Sequence, residues 1–160
     1  MNRRIRNLSL AILVGALLAA AAATAVYATD FAVIVHPSNQ AKTMSLSEFG
    51  KILRIKTPNW PNGRVITVVM RDPNQPEMKF VVEKILGVNL EEGKALLVAE
   101  NHKPASTLIF VPTDEDVVKA VENNPTAIGI VDVYNITSAV KVVRIDDKQP
   151  FDPGYVLKGH

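Results

Sequence analysis

The residues best placed for chemistry lie in one short run, Arg71-Asp-Pro-Asn-Gln-Pro-Glu77. Arg71 can hold an anion with two parallel N–H donors, and a helix N-terminus just after it would add positive potential. Asp72, Asn74 and Gln75 supply oxygens and amides that can reach the same ligand. A plainer reading stands beside this one: Arg71 pairs with Asp72 or Glu77, and Asp-Pro-Asn is an ordinary turn. Little else in the chain is reactive. His36, His102 and His160 are far apart and match no metal or triad spacing. The chain has no cysteine, which excludes a thiol enzyme, a zinc-thiolate site and a cysteine-anchored lipoprotein. Nucleophile-elbow, phosphate-loop, dinucleotide and paired-carboxylate motifs are also missing. No catalytic residue, metal ligand or cofactor is expected, and the chain reads as a non-enzyme.

The elements that position this run are clear. Val65 to Met70 is a nearly unbroken apolar run, the signature of a strand covered on both faces. A five-residue turn beginning at Arg71 leads to a helix from Pro76 to Leu86, whose stripe is Met78, Val81, Val82, Ile85 and Leu86. Gly87 suits its left-handed end.

Phe31–Val35 reads as the first strand, stopped by His36-Pro-Ser-Asn39. Ser45-Leu-Ser-Glu48 is a capping box, and Leu46, Phe49, Gly50 and Leu53 form the apolar face of the helix it opens. The loop Thr57–Gly63 follows. Its Trp60 either lines a cleft or partner surface or packs over a core edge. A helix capped by Asn89 runs from Leu90 to about Asn101, with a weak stripe that makes it peripheral. Thr107–Val111 is a strand. Thr113 caps a helix whose Asp114, Glu115 and Asp116 complement the helix dipole, while Val117, Val118 and Val121 face the core. Ala127–Val133 and Val140–Ile145 are strands, and Gln149–Tyr155 is a turn-rich tail. Strands alternating with helices predict an α/β fold, a three-layer sandwich with a mostly parallel sheet. The last two strands lie too close for a crossover helix, so at least one antiparallel pair is expected.

Residues 1–28 read as a secretory signal peptide. Arg3, Arg4 and Arg6 precede an apolar stretch from Leu8 to Val26, and Val26, Tyr27 and Ala28 form a small-residue cleavage site. A retained membrane anchor is the competing reading. Removing 28 of the 160 residues leaves 132, residues 29–160, enough for one domain with its own core. The leader holds three of the 18 Lys and Arg, so 15 remain against 16 Asp and Glu. The mature part is thus about −1, which gives no basis for nucleic acid as a partner. A periplasmic or secreted location follows.

Several phrases in order resemble the solute-binding proteins of ABC transporters, specifically the phosphate-binding branch and its short single-lobe relatives. Ser45 to Leu53 followed by Trp60-Pro-Asn-Gly63 looks like that family's helix and Trp-x-x-Gly loop. Val68-Val-Met-Arg71 with Phe80 is similar to its strand, arginine and helix. Asp116–Val121 and Asn124-Pro-Thr-Ala-Ile-Gly-Ile-Val131 resemble its next helix and glycine strand, with Ile130 where the family has tyrosine. Val142–Asp146, with Pro150 and Tyr155, resembles its closing segment. The resemblance implies one lobe of a type II periplasmic binding protein. It implies a solute-binding-like protein of phosphate transport that takes a small oxyanion such as phosphate, served by an ABC transporter or another periplasmic protein. Arg71 is the one anion ligand that matches. The family's Ser-Gly-Thr is replaced here, with Pro76 removing a donor and Glu77 adding negative charge. A non-catalytic interaction module that kept the fold and lost the ligand is the alternative. With one lobe, ligand burial would have to come from a homo-oligomer or a partner.

Overall fold

The structure, a computed structural model, describes residues 29–159; the signal peptide read for residues 1–28 lies outside them. The strands are β1 (Phe31–Val35), β2 (Thr43–Met44), β3 (Thr67–Arg71), β4 (Leu108–Val111), β5 (Ala127–Asp132) and β6 (Lys141–Ile145). The helices are α1 (Leu46–Leu53), α2 (Met78–Leu86), α3 (Leu90–Asn101) and α4 (Asp114–Glu122), with a short 3₁₀ turn at Val133–Asn135.

The strands form one sheet in the order β2–β6–β1–β5–β3–β4. β3 runs parallel to β4 and β5, β2 runs parallel to β6, and β1 is antiparallel to both β5 and β6. Five strands therefore point one way, and β1 alone opposes them. The expected antiparallel pairing exists, but not between the last two strands, which flank β1 instead of pairing. The segment between Asp132 and Lys141 makes that crossover without an α-helix. An extended chain covers about 3.3 Å per residue, so eight residues suffice to climb the sheet.

Side-chain alternation divides the core between the two faces of the sheet. Phe31, Val33, Val35, Val68, Met70, Ile128 and Ile130 pack with α1, α2 and α3. Ile34, Val69, Ala127 and Val131 pack with α4. This is the three-layer α/β sandwich that the pattern predicts. Gly129 sets the α4 spacing, since a Cβ there would lie 2.7 Å from Val117 Cγ1.

Local signals in the sequence are realised closely. Ser45 and Glu48 form the reciprocal capping box, Asn89 caps α3 and Thr113 caps α4. Gly87 closes α2 at φ 65°, its N–H donating to Glu83 O. Helix α3 is peripheral as read, with only Gly93 and Leu97 buried. Two boundaries move by two residues. Val65 is exposed and forms a lone bridge to Asn59, so β3 starts at Thr67 and extends through Arg71. Pro76 belongs to a turn before α2, because Met78 and Lys79 bond back to Gln75 O and Pro76 O. Trp60 is buried over the core edge, and its Nε1 donates to Thr126 O at 2.9 Å. Among the described residues no helix is long and apolar enough to cross a membrane.

Candidate functional site

Arg71 is the final residue of β3, beside Val111 of β4, at the carboxyl end of the parallel strands. Its side chain is largely covered, and three groups surround the guanidinium. Nη1 meets Asp114 Oδ2 at 3.5 Å and Nη2 meets Glu77 Oε2 at 3.6 Å. Nη2 also donates to Gln75 Oε1. Gln75 in turn donates through Nε2 to Pro112 O at 3.2 Å, tying the β3–α2 turn to the β4–α4 loop. Asn135 Nδ2 donates to Asp114 Oδ2 at 3.3 Å.

Asp114 is 7% exposed and opens α4 behind its Thr113 cap. Burial pushes its carboxyl pKa up from the ordinary Asp value; the Arg71 charge and the backbone of Asp132 oppose this, and the smaller effects of the Asp132 and Glu115 charges add to the rise. Desolvation thus outweighs the ion pair. Arg71 Nε and Asp114 Oδ1 are buried and have no hydrogen-bond partner among the described residues.

The sequence-derived set splits in two. Arg71 and Gln75 converge. Asp72 and Asn74 instead satisfy each other, Asp72 Oδ1 accepting from Asn74 N at 2.8 Å and from Nδ2 at 3.0 Å. Backbone donors around the turn are also engaged, with Gln75 N on Asp72 O, Met78 N on Gln75 O and Lys79 N on Pro76 O. An anion arriving here meets a helix start whose N–H groups are mostly spent. It also meets one arginine already facing two carboxylates.

Asp114 and Asn135 escaped the residue-by-residue reading. By sequence alone Asp114 complements the helix dipole with Glu115 and Asp116. Yet residues 114, 117, 118 and 121 share the i, i+3, i+4, i+7 stripe, so its burial beside the three valines was readable. Asn135 carries no such signal, because the 3₁₀ turn that aims it follows from the crossover after β5. No group of three or more His, Cys, Asp or Glu among the described residues is arranged to hold a metal ion.

No protein-family model matches the sequence, and no curated protein matches it. Solved structures do match. An ABC-type phosphate transport receptor from Vibrio cholerae aligns at 18% identity and TM-score 0.61, over 76% of this chain and 48% of its own. A phosphate ABC transporter substrate-binding protein from Clostridium perfringens, solved with bound phosphate, aligns at 21% and 0.62, over 76% and 46%. PstS from Borrelia burgdorferi aligns at 15% and 0.65, over 82% and 55%. The chain thus has the fold of these phosphate-transport binding proteins and spans about half their length.

Proposed function

We propose that this is a solute-binding-like protein of the phosphate-transport type. It acts outside the cytoplasm as a non-catalytic module whose anion position is closed by its own side chains. One observation carries the reading: Arg71, the one residue matching the family's anion ligands, faces Asp114 and Glu77 and is hydrogen-bonded by Gln75. A free oxyanion must displace one of those carboxylates and then sit beside the other. Small-molecule sites bury most of their ligand, and here Gln75, Glu77 and Asp114 already take up the positions around the guanidinium. The working ligand is therefore a protein, an ABC transporter component or another periplasmic partner.

A second reading is capture of a small oxyanion such as phosphate by Arg71 and Gln75. It is favoured by the fold shared with a phosphate-bound structure and by the place of Arg71 at a strand end before a helix. Calorimetric titration of residues 29–160 with phosphate, sulfate and molybdate separates the two. We expect no heat from the wild type at millimolar anion. Saturable heat would overturn the closed-site reading and establish capture.

A further inference from the structure

A second opening among the described residues lies at the other end of the sheet, away from Arg71. It is a cleft of about 640 Å³, within the range of roughly 300–1,000 Å³ usual for small-molecule sites. The β1–β2 connection, β2, α1, the Trp60 loop and the residues just before β3 and β5 line it, and Arg71, Asp72, Asn74 and Gln75 take no part in its walls. Its floor is apolar, built from the buried Ile52, Trp60 and Ile66.

Two cations line the cleft, Lys51 in the last turn of α1 and Arg64 after the Trp60 loop. Neither has a carboxylate within 4.0 Å among the described residues, whereas both ion-paired lysines, Lys94 and Lys103, sit elsewhere on α3 and the turn after it. Glu48 is the single acid of the lining. It is held by its capping bonds from Ser45 N and Oγ at 2.7 and 2.9 Å. The cleft therefore combines an apolar floor with an excess of positive charge at its rim.

We propose that this cleft binds a small organic carboxylate with a flat apolar body. The body covers Trp60 and Ile66, and the carboxylate reaches Arg64 and Lys51. A compact, strongly hydrated ion such as inorganic phosphate gains nothing from the floor and loses its water there. This site does not depend on the closed Arg71 cluster.

Trp60 is the only tryptophan of the chain, so its fluorescence reports the cleft directly. Residues 29–160 are titrated with benzoate, with benzyl alcohol as a neutral analogue and with inorganic phosphate. Benzoate should give a saturable change at millimolar concentration or below. Benzyl alcohol should bind about tenfold more weakly, and phosphate should leave the signal unmoved. The double variant Lys51→Ala with Arg64→Ala should lower benzoate affinity about tenfold with an unchanged melting temperature, since both side chains are exposed. Glu77→Thr at the far end should bind benzoate like the wild type. The proposal is overturned if benzoate gives no saturable change, if benzyl alcohol binds as tightly, or if the double variant binds benzoate as the wild type does.

Discussion

At the scale of the residue, Arg71 and Asp114 form a pair in which burial works against both members. Their side chains are 18% and 8% exposed, so water screens the pair weakly. Removing the cation leaves a covered carboxylate with only Asn135 to bond it. Arg71→Met should cost about 2–4 kcal/mol in chemical denaturation, somewhat below the range for a fully buried pair because Glu77 remains outside. Asp114→Asn tests the other side. The folded pKa of Asp114 is raised, chiefly by burial, so the folded state holds this proton more tightly than the unfolded chain. That contribution is complete below the unfolded value of about 3.9 and is lost as pH rises through the folded pKa. Wild-type stability should therefore gain on Asp114→Asn as pH falls from about 7 to about 4. Wild type losing stability relative to Asp114→Asn over that range would show the ion pair outweighing desolvation.

At the scale of the element, β3 carries the site because it is interior. Val68 and Val69 are 2% and 1% exposed and face opposite layers. Either one replaced by Asp buries a carboxylate with no partner, at several kcal/mol. We expect no soluble folded protein from Val68→Asp or Val69→Asp; an unchanged melting curve would contradict an interior β3. The seat of α4 makes a subtler test. A methyl at Gly129 meets Val117 Cγ1 at 2.7 Å and Val121 Cγ2 at 3.0 Å, both on β-branched side chains with little freedom to turn away. Gly129→Ala should cost about 1–3 kcal/mol by overpacking. Adding Val117→Ala should recover part of that loss despite being destabilising alone, a coupling that a double-mutant cycle measures.

At the scale of the whole molecule, two layers of helices hold one sheet whose ends differ in charge. The Arg71 end gathers Asp114 and Glu77, and the Trp60 end presents Lys51 and Arg64. If the leader is removed as its sequence suggests, mass spectrometry of periplasmic extract should find an N-terminus at Thr29. Intact Met1 in washed membranes would make the protein an anchored one. Most of the architecture was legible in the chain because its signals are local. Caps at Ser45, Asn89 and Thr113, the turn at Gly87 and the apolar periods of β1, β3 and α2 are satisfied within a few residues. Arg71 and Gln75 were legible for the same reason, as residues of one strand–turn–helix. Local signals do not say which strands become neighbours, so the insertion of β1 between β5 and β6 was decided by the packing of the whole sheet. The same holds for the partners of Arg71. Asp114 is 43 residues away in sequence, and only the parallel pairing of β3 with β4 brings the start of α4 against the end of β3. Residue type and spacing thus determined that a cation stands at this strand end. Sequence also offered Glu77, six residues on, as an acid that answers it; tertiary structure decided that Asp114 answers it too, because ion pairs form across space between elements that sequence leaves far apart.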